Sequence, residues 1–381
     1  LIIKGYKFRI YPNKNQEIFL NKSFGCARFV YNWGLAKKTE EYTKTQKNLS
    51  CFDLINLLPS LKKEFPWLKE TLSQSLCMSL RNLDNAYTKF FKKQAYFPQF
   101  KKKSGKQSFQ LPQGCKIVGK RLTLPKVEEG IKIKQHREFQ GKIKTVTISK
   151  NSVNQYFATL LVETENEIKP PESFNEKSLV GLDLGIKDFA ILSSGEKISN
   201  PKILRSEMKV VKKLQRRLSK KVKGSKNRNK ARLKLAKKHL KIKNKREDFL
   251  HKLSHQLTHE NQVCGYAIED LAVANMVKNH KLAQAISDCS WSKFINMLKY
   301  KSEWYGKHLI QIGRFEPSSK MCSACGSIKS SLELREREWI CSCGVKHDRD
   351  INAASNIRNF GILQYRRSYG NSEACGDDKV I

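Results

Sequence analysis

Tyr6, Phe8 and Ile10 alternate with Lys7, Arg9 and Tyr11 until Pro12 stops the run, which predicts a short half-buried strand with a basic outer face. From about 15 to 44 the apolar spacing turns helical, through Leu20, Phe24, Ala27, Tyr31 and Leu35. A second helix is predicted over 70–93, where Leu72, Leu76, Leu80, Leu83, Tyr87 and Phe91 form one stripe. Phe65-Pro66-Trp67 punctuates the chain between them. After Phe97-Pro98-Gln99-Phe100-Lys101-Lys102-Lys103 the pattern changes to short β-type runs at 115–118, 121–124, 130–134, 143–150 and 155–163, separated by Gly, Pro and Asn turns. Repeated short strands predict a small barrel or sandwich. Residues 1–170 thus read as a β-barrel interrupted by a helical insertion, and Lys169-Pro170-Pro171 as a linker.

Residues 178–185, Ser-Leu-Val-Gly-Leu-Asp-Leu-Gly, open a second region with a buried-strand pattern that 189–192 continues. Leu214, Leu218 and Val222 keep helical spacing up to Gly224-Ser225, and Leu233, Ala236, Leu240, Leu250, Leu253 and Leu257 resume it. Two long helices joined near Gly224 are expected, then a strand at 263–270, a helix over 291–309 and a last helix beginning near Asp350. The tail after about 364, with Gly370, Gly376 and mixed charge, is expected to be poorly ordered. No internal repeat is visible.

Charge changes the picture most. The 381 residues carry a net charge of +39, with 39% hydrophobic and 29% charged residues, enough apolar content for real cores. An excess of that size repels itself unless a polyanion neutralises it, so a long stretch of nucleic acid is the expected partner. Residues 201–250 hold 21 Lys and Arg against Glu207, Glu247 and Asp248, a net of +18. A wall that tracks a nucleic-acid backbone is favoured over a merely solvated hairpin. Apolar runs are broken well short of a membrane span, and Leu1-Ile2-Ile3-Lys4-Gly5-Tyr6 lacks a leader layout, so no membrane partner and a cytoplasmic location are expected. Of eleven cysteines, those outside the one cluster are expected to be reduced thiols.

That cluster is the most specific local signal. Cys322-x-x-Cys325 is followed by Cys341-x-Cys343, two knuckles that could complete a tetrahedral Cys₄ shell for a structural zinc ion, the second one contracted to a single spacer. His347 is a spare donor nearby, expected to face solvent or phosphate rather than the ion. A second signal is a set of three separated carboxylates. Asp183 lies in an apolar strand, Glu269 ends the run Ala267-Ile268, and Asp350 stands where a helix would begin. Half-buried acids are costly unless paired or metal-bound. Together they could hold two Mg²⁺ or Mn²⁺ ions that activate water against a phosphodiester. Each alone has a plainer reading: a turn residue at 183, a loop entry at 269, and helix caps at both Asp348 and Asp350.

The motifs in combination resemble the TnpB family of insertion-sequence proteins, compact relatives of the type V CRISPR effectors and often labelled transposases. The resemblance runs from Tyr6-Lys7-Phe8-Arg9-Ile10-Tyr11-Pro12 and Phe97-Pro98-Gln99-Phe100-Lys101 through Gly181-Leu182-Asp183-Leu184-Gly185-Ile186-Lys187 and Ile268-Glu269-Asp270-Leu271 to the ribbon and His347-Asp348-Arg349-Asp350-Ile351-Asn352-Ala353-Ala354. It implies an α/β RNase H-like (RuvC) nuclease domain with an inserted Cys₄ zinc ribbon, preceded by a wedge-type β-barrel carrying a helical recognition insertion. On this chain the wedge would span 1–14 and 97–170, the insertion 15–96, and the nuclease domain 171–363, with the basic hairpin at about 202–260 and the ribbon at about 317–346. The tail would span 364–381.

The resemblance also implies an RNA-guided, divalent-metal-dependent DNA endonuclease with Asp183, Glu269 and Asp350 as its acids, Asp350 rather than Asp348 joining the metal shell and Arg349 steadying a phosphate. A guide RNA from the transposon end would pair with one strand of double-stranded target DNA, and the protein would read only a short flanking motif. Ser73, Gln74, Cys77 and Met78 on the 70–93 helix would meet that motif, and Lys212, Lys213, Arg216 and Arg217 the nucleic-acid backbone. Use at the nucleoid of a prokaryotic cell follows from the same resemblance. A non-cleaving binder, either an RNA-guided repressor or a transposition accessory factor, is the alternative that shares this basic surface. A transposase acting by itself is disfavoured, because no tyrosine nucleophile accompanies a His-x-His motif.

Overall fold

The computed structural model describes residues 2–164, 169–333 and 335–369, in two compact units, Leu1–Glu167 and Ile168–Ile381. Residues 370–381, most of the expected tail, lie outside the described residues.

The first unit begins with β1 (Ile2–Tyr11), whose Phe8 and Ile10 point inward as the alternation requires. Asn13 and Gln16 then form a reciprocal capping box and start α1 (Lys14–Thr45). Three short steps follow, α2 (Cys51–Asn56), α3 (Leu58–Glu64) and a 3₁₀ turn at Pro66–Glu70, before α4 (Ser73–Phe91). The helix expected from 70 starts at Ser73 because Thr71 is extended, with φ −98° and ψ 179°. Six strands complete the unit: β2 (Gln107–Leu111), β3 (Lys116–Val118), β4 (Arg121–Leu124), β5 (Val127–Lys134), β6 (Lys142–Lys150) and β7 (Tyr156–Thr164). They join β1 in one antiparallel sheet of order β2-β6-β7-β1-β5-β4-β3. Among the described residues no pairing links β2 to β3, so the expected barrel is an open sheet. Phe109 and Leu111 of β2 nevertheless share a core with Leu122 and Leu124 of β4 and with Leu20 and Phe24 of α1.

Helix α1 serves two cores. Its first half enters the sheet core, and Val30, Tyr31 and Leu35 pack with Leu76, Leu80 and Leu83 of α4. Gly34 lets α4 close in: a Cβ there would stand 2.7 Å from Leu80 Cδ2. The expected boundary near 14/15 therefore falls beside a helix that belongs to both layers.

In the second unit, β8 (Leu179–Asp183), β9 (Asp188–Leu192) and β10 (Lys197–Ser199) form an antiparallel run, and a long basic hairpin follows, α5 (Ile203–Ser219) and α6 (Lys226–His255). Then come β11 (Gly265–Glu269), α7 (Val273–Met276), α8 (Ala283–Cys289), α9 (Trp291–Tyr305) and β12 (His308–Ile312). The small hairpin β13 (Glu338–Ile340) and β14 (Lys346–Asp348) leads into α10 (Arg349–Tyr369). The central sheet has the order β10-β9-β8-β11-β12, with β8, β11 and β12 parallel. On one face Leu182, Phe189, Tyr266 and Ile268 pack against Leu250 and Leu253 of α6 and Phe294 and Leu298 of α9. On the other, Leu179, Ala267 and Ile312 meet Ile357 of α10.

Two expectations need correction. The helix predicted over 291–309 ends at Tyr305, because Gly306 takes a left-handed cap at φ 68° and the next residues add a parallel strand to β11. Residues 364–369, assigned to the tail, continue α10, where the Arg366 guanidinium grips the Glu176 carboxylate at 2.6 and 2.7 Å. Among the described residues no helix is long and apolar enough to cross a membrane.

Candidate active site and metal centres

Parallel pairing of Leu182 with Ile268 puts the residues that follow, Asp183 and Glu269, side by side where β8 and β11 end. Helix α10 lies against β8 and carries Asp350 in its first turn. Burial, then the charges of Glu269 and Asp350, push the Asp183 carboxyl up to about 7, while the Leu184 N–H and Arg349 pull the other way. Glu269 accepts a hydrogen bond from Ser318 Oγ at 2.5 Å, and Asp350 pairs with Arg337 at 3.3 Å. Two strand ends and a helix start thus bring the charges of Glu269 and Asp350 to bear on Asp183. The three acids are spread wider than the thiols described below.

The two aspartates at the start of α10 divide their work. Asp348 Oδ1 accepts the N–H groups of Asp350 and Ile351 at 3.0 and 3.1 Å, so Asp348 caps the helix. Its burial, which acts to raise the pKa, is outweighed by Lys197 at 2.6 Å and these N–H groups, and its carboxyl lies below the usual range. Asp350 is not a cap, which corrects the reading of both as caps. Arg349 sends Nη1 to the Glu333 carbonyl at 2.7 Å.

The thiol sulfurs of Cys322, Cys325, Cys341 and Cys343 all lie within 4.8 Å of one another, the one such group among the described residues. Each knuckle turns on a left-handed glycine, Gly326 at φ 78° and Gly344 at φ 86°. The Cys343 backbone and the Ser327 hydroxyl draw the Cys341 thiol down, while hydrogen bonds to Cys341, Cys325 and Cys322 push the Cys343 thiol up. This donor set fits zinc. His347 is neither solvent-facing nor phosphate-facing, contrary to expectation. It is buried against Trp339, ring centroids 4.7 Å apart, with Nε2 3.0 Å from Cys322 Sγ. The hairpin pairing of Trp339 with His347 holds both rings beneath the knuckles.

Lys212, Lys213, Arg216 and Arg217 are exposed and line a shallow groove along α5 with Lys209 and Lys220. Glu207, the acid on α5, is engaged by Lys238 and Lys245 of α6, so it does not neutralise that groove. In the other unit, Ser73 is exposed and accepts from Lys62 Nζ at 2.9 Å, while Gln74 and Met78 are half-buried. Cys77 is half-buried as well and packs against the α1–α4 core. Sequence reasoning missed Ser318, Arg337, Asn352 and Asn356. The two asparagines left a trace, a polar pair four apart on an otherwise apolar helix face, and both are buried.

Residues 159–280 match a family model described as "Probable transposase", residues 291–357 one described as "Cas12f1-like, TNB domain", and residues 2–47 one described as "Helix-turn-helix domain". In this chain the last range holds a strand and one uninterrupted helix, α1. A Streptomyces pristinaespiralis protein named "Putative RNA-guided DNA endonuclease" is 40% identical over 380 residues, covering 98% of this chain and 91% of the relative. The Escherichia coli K12 protein "Putative RNA-guided DNA endonuclease InsQ" is 32% identical, covering 94% and 92%. A cryo-EM structure of a Cas12f1–sgRNA–target DNA complex contains a chain of similar fold, with TM-score 0.60, 13% identity, and coverage of 94% of this chain and 99% of that one.

Proposed function

The chain belongs to the TnpB family, and on that premise we propose that it is an RNA-guided, divalent-metal-dependent DNA endonuclease. The observation that carries the reading is the parallel pairing of β8 with β11, which sets Asp183 and Glu269 side by side at the strand ends, with Asp350 in the first turn of the helix that packs on β8. A sheet of order β10-β9-β8-β11-β12, in which only β9 runs against the rest, supports an RNase H-like (RuvC) domain over 171–363. The ribbon at about 317–346 would be its zinc-holding insertion. The open sheet of 1–14 and 97–170 would be the wedge, and the helices of 15–96 the recognition insertion.

In this reading the three carboxylates hold two Mg²⁺ or Mn²⁺ ions. Such a pair, when bound, activates water and stabilises the leaving oxygen of a phosphodiester. Asp183 would take a cation in its ionised form, and Arg337 and Ser318, bonded to Asp350 and Glu269, would orient those two acids. Lys212, Lys213, Arg216 and Arg217 supply phosphate contacts for an RNA or DNA backbone, and the exposed Ser73 with Gln74 and Met78 a surface for a flanking duplex motif. The guide RNA would come from the transposon end.

The test is reconstitution with RNA copurified from cells carrying the element, a matched double-stranded target and Mg²⁺. Cleavage is expected, lost in Asp183→Ala with target binding kept. A target left intact by a complex that binds it would overturn the nuclease reading and leave a non-cleaving binder.

A further inference from the structure

Ser318 is buried at a junction of three elements. Its hydroxyl donates to Glu269 Oε1 at 2.5 Å, and its carbonyl accepts from Asn356 Nδ2 of α10 at 2.7 Å. Asn356 Nδ2 also reaches the Met321 carbonyl, at 2.6 Å. One turn earlier, Asn352 clamps the same knuckle from both sides: Nδ2 donates to the Met321 carbonyl at 2.7 Å, and Oδ1 accepts the Ser323 N–H at 2.9 Å. Met321 and Ser323 flank Cys322. Asn352 is satisfied at both ends of its amide, and Asn356 through its Nδ2 alone, its buried Oδ1 having no partner among the described residues; the donated bonds set where the knuckle sits on α10.

A single polar seam thus runs from the thiol knuckle, through two asparagines of the helix that carries Asp350, to the carboxylate at the end of β11. A serine hydroxyl has one proton to donate, and here it is spent on Glu269. A glutamate has a long, rotatable side chain, and a donor fixed on one of its oxygens restricts that freedom and leaves the second oxygen for a cation. Partners of this kind around a metal ligand govern both its orientation and the affinity of the site.

We infer that Ser318 is a positioning residue: anchored by Asn356 and the ribbon, it presents the Glu269 carboxylate for divalent-cation binding, and so couples the thiol ribbon to the acid site. This rests on the reading of Asp183, Glu269 and Asp350 as metal-binding acids.

The experiment is a Mn²⁺ titration of the full-length, zinc-loaded chain, free Mn²⁺ being followed by electron paramagnetic resonance and zinc content measured in parallel. Ser318→Ala removes the hydroxyl and keeps the carbonyl that Asn356 holds. It is expected to weaken Mn²⁺ binding about tenfold, with zinc content and thermal midpoint unchanged. Ser318→Thr, which restores a hydroxyl, is expected to recover the affinity, and Ser319→Ala next door to leave it unaltered. Unaltered affinity in Ser318→Ala, or a loss that Thr does not rescue and that follows loss of zinc, overturns this inference alone. Absence of Mn²⁺ binding in the unaltered chain, or binding indifferent to Glu269→Gln, overturns the underlying reading and this inference with it.

Discussion

Gly181 of β8 and Ala354 of α10 meet backbone to backbone: a Cβ on residue 181 would stand 1.9 Å from the Ala354 carbonyl oxygen and 2.7 Å from the Arg358 nitrogen. Gly361 repeats the close approach one stretch later, at 2.5 Å from Ala267 Cβ. Arg358 stitches the same contact, giving hydrogen bonds to the carbonyls of Leu179 at 2.8 Å and Glu176 at 2.7 Å. This contact sets how near Asp350 comes to Asp183. Gly181→Ala cannot be absorbed by a flexible side chain, because the obstructing atoms are backbone. It is expected to cost about 2–3 kcal/mol in urea denaturation and to lower cleavage by displacing Asp350. Gly5→Ala, with nothing within 4 Å of its Cβ, is expected to be near neutral in both measurements.

Asp348 and Asp350 are separable by their failures. Asp348→Ala removes a helix cap and the Lys197 partner, and is expected to cost about 1 kcal/mol of stability while retaining measurable cleavage. Asp350→Asn should leave the denaturation midpoint in place and abolish cleavage. Equal loss of activity with equal loss of stability in both would contradict the division of roles.

Lys301 on α9 is nearly buried, its Nζ donating to the His251 carbonyl at 2.7 Å and Ser254 Oγ at 2.8 Å. Burial pulls its pKa down to about 8 from 10.5. Between those values the unfolded chain holds a proton that the folded chain has released, so this group makes stability rise as pH climbs from 8 to 10.5. Below pH 8 the folded chain carries a poorly solvated charge. Lys301→Met is therefore expected to be the more stable form at pH 7, by something on the order of 2 kcal/mol. The advantage should shrink above pH 8 in parallel denaturation curves.

The groove of α5 makes an electrostatic prediction. If Lys212, Lys213, Arg216 and Arg217 each contact a phosphate, replacing all four by Gln should flatten the dependence of log affinity on log salt by about 3 to 4 units of slope. Filter-binding or anisotropy titrations with RNA at several salt concentrations would read it. An unchanged slope would assign the groove to solvent alone.

Much of the architecture was legible in the order of residues. The period of two in Tyr6–Phe8–Ile10, the stripe from Leu72 to Phe91 and the interrupted pair of basic helices reappear as β1, α4 and α5–α6, because burial of one face needs only local spacing. Helix and strand ends were less legible. Gly306 ends α9 and frees His308–Ile312 to pair with β11, a choice made by a strand more than forty residues away.

Chemistry divided the same way. The Cys-x-x-Cys and Cys-x-Cys spacings identified the four thiols outright, since two knuckles aim their sulfurs by local turns. Apolar flanks singled out Asp183 and Glu269 as unusual acids. The family resemblance had already set Asp350 apart from Asp348, and the folded chain adds that Asp348 is drawn into capping and held by Lys197 from 151 residues away. Only the folded chain buried His347 on Cys322 and put Ser318 on Glu269. Short-range geometry is written in neighbouring residues. Which polar groups meet across hundreds of positions depends on how closely the backbones of β8 and α10 can pack, and on which buried donors then need an acceptor.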